Sequence, residues 1–172
     1  MIQSVQTIAL ALTESTKKLK DHSESPRLDA EVLLAFVLSK SRTFLLTHPE
    51  KLLNTFQQQR FRRLIEQRWR RVPVPYLTGR CVFFGLHLRV TPAVLIPRPF
   101  TELLVEATLK HLPVNTTQTI VDVGTGSGAI ALAIADQRQH AIVIGTDVSS
   151  SALRVARQNA KSLRLNRRIT WR

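Results

Sequence analysis

The sequence predicts an α/β chain in two parts. An N-terminal all-helical bundle leads through a hairpin linker into the first half of a doubly wound, Rossmann-like parallel sheet. Three observations point there. Apolar residues recur at helical spacing over the first seventy or so positions. Val72-Pro73-Val74-Pro75 cannot continue a helix, because each proline lacks an N–H and restricts the residue before it. From Thr119 onward, short β-branched runs alternate with alanine- and leucine-rich stretches of helical length, the pattern of βα units that build a parallel sheet. The expected boundaries are 1–72 for the bundle, 73–97 for the linker and 98–172 for the partial α/β domain.

In the bundle, Val5, Ile8, Ala9 and Leu12, continued by Leu19, form the first apolar stripe. Ser25 is placed to cap a second helix, with Pro26 at its first position. Ala30, Leu33, Leu34, Val37 and Leu38 supply that helix with a buried face. A short segment at 44–46 follows, and Leu52, Leu53 and Phe56, then Phe61, Leu64, Ile65 and Trp69, predict further helices. In the linker, residues 82–84 and 86–90 read as the strands of a hairpin around Gly85. A helix begins near Thr101, with Leu103, Leu104, Ala107 and Leu112 as its buried side. Beyond it come a buried strand at 120–123, a helix at 129–135, a strand at 141–145, a helix at 149–163 and the start of a third strand at 168–171. A parallel sheet of three strands has an unpaired edge and uncovered apolar surface, so residues 98–172 are expected to be less stable than the bundle.

Composition narrows the function classes. Hydrophobic residues at 44% and charged residues at 22% suit a globular chain. The longest apolar runs, 129–135 and 141–144, are too short to span a bilayer. Met1-Ile2-Gln3-Ser4 has no basic leader pattern, so no secretory signal and no membrane association are expected. A single cysteine, Cys81, allows no internal disulfide and fits a reducing cytoplasm; it reads as a packing residue, not a catalytic thiol. No metal-ligand spacing is present.

The formal charge of +13 is uneven. Residues 60–71 hold six arginines against one acid, Glu66, and after Asp147 there is no acid while Arg154, Arg157, Lys161, Arg164, Arg167, Arg168 and Arg172 follow. Such fields attract acidic proteins or nucleic acid, although a solvated helix face has the same composition. Base-stacking aromatics are nearly absent among these charges, which disfavours a nucleic-acid partner.

The segment that carries chemistry is Val121-Asp122-Val123-Gly124-Thr125-Gly126-Ser127-Gly128-Ala129, between a predicted strand and a predicted helix. Glycines let the backbone turn sharply and approach a ligand, and the following helix start presents N–H groups. Asp147, 19 residues beyond Gly128 and at the end of the next strand, can accept hydrogen bonds from both hydroxyls of a ribose. Cofactor contacts are therefore expected at Gly124, Thr125, Gly126, Ser127, Gly128 and Asp147, with Asp122 supporting them electrostatically. Two cofactors fit. Gly124-x-Gly126-x-x-Ala129 also satisfies the dinucleotide pattern of NAD enzymes. Asp122 favours S-adenosylmethionine, whose ammonium suits a carboxylate where a pyrophosphate would not.

A longer pattern extends the reading. Pro73-x-Pro75-Tyr76-Leu77-x-Gly79, Phe83-x-Gly85-Leu86-x-Leu88-x-Val90 and Val94-Leu95-Ile96-Pro97-Arg98-Pro99-x-Thr101-Glu102-x-Leu104-Val105-Glu106 stand in order ahead of the glycine turn, and residues 25–34 add a further match. Together these resemble the HemK-type release-factor glutamine methyltransferases over essentially the whole chain. The resemblance implies a class I S-adenosylmethionine-dependent methyltransferase domain behind a helical substrate-docking domain. It also implies methyl transfer to the side-chain amide nitrogen of the glutamine in the Gly-Gly-Gln loop of peptide-chain release factors.

Two departures from the family pattern are Phe100 and Val82, where acids are usual. The family's Asn-Pro-Pro-Tyr tetrad, whose asparagine and proline carbonyl aim the amide, is not in this sequence. No catalytic residue is therefore assigned, and this chain alone is expected to be inactive. The alternatives are a non-catalytic basic module that binds an acidic protein or RNA, and an NAD-dependent enzyme.

Overall fold

A computed structural model describes residues 6–115 and 117–172. The expectations for Met1 to Ser4 and for Val5 lie outside the described residues. The chain forms two compact units, 1–78 and 79–172.

In the first unit, α1 (Ile8–Leu19) starts at Thr7, whose side chain accepts from the Leu10 N–H. Ile8, Ala11, Leu12 and Leu19 are buried, whereas Ala9, expected on that face, is exposed. In α2 (Pro26–Leu38), Pro26 does take the first position, but Ser25 makes no side-chain cap. Instead the Ser25 N–H donates to Ser23 Oγ, which itself donates to Asp29. Ala30, Leu33, Leu34 and Val37 face the core as the spacing predicts, with Leu38 partly buried against it. α3 (Arg42–Thr47) is short and capped by Ser41.

The unit is not wholly helical. Leu52–Leu53 (β2) pairs antiparallel with Gln6–Thr7 (β1), where the periodicity predicts helix. Asn54 then starts α4 (Thr55–Trp69) through a reciprocal cap with Gln57, and that cap fixes the helix start beyond Leu53. Phe61 and Ile65 are buried, and Phe56 is 70% exposed. The Val72–Pro75 run ends α4 and then begins a helix of its own, α5 (Val74–Thr78). Pro75 stands in its first turn, where the missing N–H costs nothing.

Buried charge in this unit is matched. Glu31 lies between Arg27 and Arg42, each at 2.7 Å, and Arg68 meets Asp29 at 2.6 Å. Burial pushes the Glu31 carboxyl up, but the two guanidinium groups outweigh it and hold it below the usual carboxylate range.

The second unit opens with a hairpin of β3 (Arg80–Phe83) and β4 (Leu86–Arg89). Both turn residues, Phe84 and Gly85, have positive φ, as a tight two-residue turn requires. The Phe84 N–H is held by Glu102 Oε1 at 2.8 Å. α6 (Glu102–His111) buries Val105, while the expected Leu103 and Leu104 are 53% and 55% exposed.

β5 (Thr119–Val123), β6 (Ile142–Thr146) and β7 (Ile169–Trp171) form a parallel sheet in the order β5-β6-β7, with α7 (Ala129–Gln137) and α8 (Ser150–Ser162) as crossovers. Register places Asp122 beside Gly145, and Gly145 beside Trp171. One sheet face, with Val143 and Ile169, packs against Ala131, Leu132 and Ile134 of α7 and Ala160 of α8. On the other face Val121, Val123 and Ile142 are 53%, 81% and 49% exposed. The strand expected to be buried is thus buried on one side only.

Candidate functional site

The glycine turn lies at the C-terminal end of β5. Gly124, Gly126 and Gly128 all adopt left-handed φ, at 75°, 56° and 81°. Their surroundings differ. A Cβ on Gly124 or Gly126 would meet nothing within 4 Å, so these two border open space. A Cβ on Gly128 would stand 2.9 Å from the Trp171 ring and 3.2 Å from Ala156 and Leu132, so this glycine permits close packing of α7 on the sheet.

Backbone bonds fix the turn. The N–H groups of Gly124 and Thr125 both donate to the Thr146 carbonyl, at 2.9 and 2.8 Å, tying the loop to the end of β6. Asp147 completes the tie: Oδ2 accepts from the Gly126 N–H at 2.8 Å and Oδ1 from the Ser149 N–H at 2.9 Å. The second of these bonds shapes the entry to α8, which Ser149 then caps.

Asp122 plays a different part. On the covered face of the sheet, its Oδ2 accepts from Thr125 Oγ at 2.6 Å and from the Ala131 N–H at 3.2 Å. Ala131 is in the first turn of α7, so the carboxylate satisfies an orphan donor at the positive end of that helix. Asp122 braces the loop from within. The buried side chains of Thr125 and Ser127 are likewise turned inward. Of the seven residues singled out, the structure sets Gly124, Gly126 and the Asp147 carboxylate around open space. The N–H groups of Thr125 and Gly128 are already donated, to the Thr146 and Thr125 carbonyls, so these residues and Ser127 have only carbonyl oxygens and the Ser127 N–H to offer a ligand.

Two supports went unforeseen. Asn159 on α8, 1% exposed, donates from Nδ2 to the Ser127 carbonyl at 2.8 Å and to the Arg89 carbonyl at 3.0 Å, and its Oδ1 accepts from the Arg89 N–H at 2.7 Å. One buried amide therefore joins the hairpin to the glycine turn. Its signal was a polar residue at buried spacing, between Ala156 and Ala160 of an otherwise apolar face. The second support is the Trp171 ring, which fills the space above Gly145 where a Cβ would be 2.5 Å away.

Other sequence features fall elsewhere. Cys81 is half-buried in the hairpin, and burial pushes its thiol up, away from a reactive thiolate. A hollow of about 680 Å3 belongs to the helical unit and is lined by Lys20, His22, Asp29, Arg68 and Arg71 among others. Two of these, Asp29 and Arg68, already satisfy each other. No helix among the described residues is long and apolar enough to cross a membrane.

This architecture defines a class: a helical N-terminal domain followed by a Rossmann-like methyltransferase half. Residues 11–79 match the PrmC N-terminal domain, and residues 101–172 match the methyltransferase small domain. A release factor glutamine methyltransferase of Coxiella burnetii is 47% identical over 156 residues, covering 88% of this chain and 56% of the relative. Those of Aliivibrio fischeri and Moorella thermoacetica are 47% and 46% identical, covering 84% and 95% of this chain and 50% and 58% of their own length. By sequence the chain belongs to the release factor glutamine methyltransferase family. It spans about half the length of the curated relatives it matches.

Proposed function

We propose that the glycine turn and Asp147 bind S-adenosylmethionine. We further propose that the protein carrying this sequence methylates the side-chain amide nitrogen of the Gly-Gly-Gln glutamine in release factors, acting in the cytoplasm. The observation that carries the reading is the Asp147 carboxylate at the end of β6, hydrogen-bonded to the Gly126 N–H across the open side of the turn. The fit is chemical as well as spatial. A carboxylate has about four lone-pair sites, and two here are taken by N–H donors, leaving capacity for two ribose hydroxyls. Gly124 and Gly126 leave room for the ligand to lie close to the backbone.

When bound, the cofactor supplies a strongly electrophilic sulfonium methyl. The residues of this chain hold it: Asp147 orients the ribose, the turn from Gly124 to Gly128 offers close approach to its backbone and the Ser127 N–H, and Asp122 keeps the turn in shape through Thr125 and Ala131. The acceptor amide is a weak nucleophile, so rate depends on alignment and exclusion of water more than on a strong base. The aiming groups belong to the Asn-Pro-Pro-Tyr segment that the family resemblance implies. This stretch, lacking that segment, transfers little or no methyl by itself. The helical unit docks the release factor.

The test joins this chain to the C-terminal half of the Coxiella burnetii relative and incubates both forms with labelled cofactor and a release factor. Label on the Gly-Gly-Gln glutamine with the joined chain, and little with the chain alone, is expected. Robust transfer by the chain alone would refute the assignment of the aiming step, and none by a folded, cofactor-binding joined chain would refute the reaction.

A further inference from the structure

We propose that the outer face of α8, with the turn and strand that follow it, docks an acidic protein surface. The two basic tracts of the sequence have different fates in the fold. In the helical unit the tract at 60–71 is partly consumed: Arg68 pairs with Asp29, Arg70 with Glu66, and Arg60 stands over the Phe36 ring at 5.0 Å. In the tract after Asp147, none of the seven cations is in an ion pair among the described residues. Arg154, Arg157, Lys161, Arg164, Arg167 and Arg172 are exposed, and Arg168 is half-buried.

The arrangement is a continuous strip. Arg154, Arg157 and Lys161 recur at i, i+3 and i+7 on the exposed side of α8, spanning about 10 Å of helix axis. Arg157 donates to the Trp171 carbonyl at 3.3 Å, which joins this row to β7. The Arg172 carbonyl in turn accepts from the Asp147 N–H, so one end of the strip reaches the rim of the cofactor turn. Arg168 is anchored on the Arg138 carbonyl at 2.8 Å. Each anchored guanidinium keeps further N–H donors for a partner.

Apart from the Arg157 and Arg168 anchors, folding gains little from this charge. The pairs 154/157 and 157/161 set like charges at helical neighbour spacing, which opposes the helix and is offset only in part by Lys161 in its last turn. A protein partner fits better than RNA. The one aromatic in the strip, Trp171, has its ring packed over Gly145 and Gly128 and is not free to stack a base. Six of the seven cations are arginines, whose planar forks match carboxylates in pairs. That the partner is the methyl acceptor rests on the proposed function; that the strip binds acidic protein does not.

The experiment measures fluorescence anisotropy of a labelled oligoglutamate, and of single-stranded and duplex RNA of equal net charge, with the 172-residue chain near physiological salt. The variants are Arg154→Glu/Arg157→Glu/Lys161→Glu and, sparing the Arg157 anchor, Arg154→Gln/Lys161→Gln/Arg167→Gln. Arg62→Glu/Arg63→Glu on α4 is the control. Both strip variants are expected to weaken oligoglutamate binding about tenfold or more, the control less than about twofold. Titration with S-adenosylmethionine should be the same for all, which keeps failure of the strip distinct from failure of the cofactor site. Equal losses in strip and control variants would overturn the proposal, as would no oligoglutamate binding. Tighter RNA binding that the strip variants abolish would overturn it in favour of a nucleic-acid face.

Discussion

Asn159→Ala removes a buried side chain that bridges hairpin and glycine turn, and the bonds it loses set the cost. The amide makes three hydrogen bonds, at 2.7, 2.8 and 3.0 Å, from a side chain 1% exposed. Each net bond contributes about 1 kcal/mol, and a buried donor left unsatisfied costs about 1–3 kcal/mol. The Arg89 N–H loses its acceptor outright. The Ser127 and Arg89 carbonyls lose a donor and tolerate this better, because under-satisfied carbonyls are the milder defect. The expected loss is about 2–4 kcal/mol, against a total of about 5–15 kcal/mol for a typical domain. Urea denaturation followed at Trp171 measures it, and hydrogen exchange at the Arg89 amide shows whether the hairpin has come free. Asn159→Asp keeps the acceptor for the Arg89 N–H but removes the two donations and adds a buried charge, so it should be no milder than alanine. A loss under about 0.5 kcal/mol in both variants would refute the bridging role.

Glu31 gives the pH prediction. Its folded pKa lies below the unfolded value, so its contribution is complete above the ordinary carboxylate range and is lost as pH falls through the folded pKa. The stability gap between wild type and Glu31→Gln, measured in urea, should be widest near neutrality and narrow as pH falls into and below the ordinary carboxylate range. Gly145→Ala places a methyl 2.5 Å from the Trp171 ring and should cost about 1–3 kcal/mol, with partial relief in the double variant carrying Trp171→Leu; an additive double variant would exclude the clash as the cause. Native-state hydrogen exchange should show β5 amides exchanging sooner than those of α2, because β5 is an edge strand with Val121 and Val123 exposed; equal protection would count against separate stabilities.

What was legible in the sequence was whatever depends on local periodicity. The turn from Gly124 to Gly128 stands between a strand and a helix as its residues require, and the α2 face follows from helical spacing. Reading failed where long-range pairing decided the outcome. Leu52 and Leu53 look helical beside Phe56, yet the Asn54 cap begins the helix after them, and backbone pairing with Gln6 and Thr7 makes them a strand. On α6 the exposed Leu103 and Leu104 satisfy an apolar pattern with no partner in the described fold, and Val105 takes the buried place. The inward turn of Asp122 was hidden for the same reason. Residue type places a carboxylate beside the glycines, but only the sheet register decides which face it occupies.

We propose above that the glycine turn and Asp147 form an S-adenosylmethionine site. Its most direct test is calorimetric titration of the 172-residue chain with S-adenosylmethionine and, separately, NADH, alongside Asp147→Ala. Saturable binding of S-adenosylmethionine is expected, weakened about tenfold or more in the variant by loss of the charged hydrogen-bond acceptor, with no binding of NADH. Binding of NADH in its place, or S-adenosylmethionine binding that is indifferent to Asp147, would contradict it.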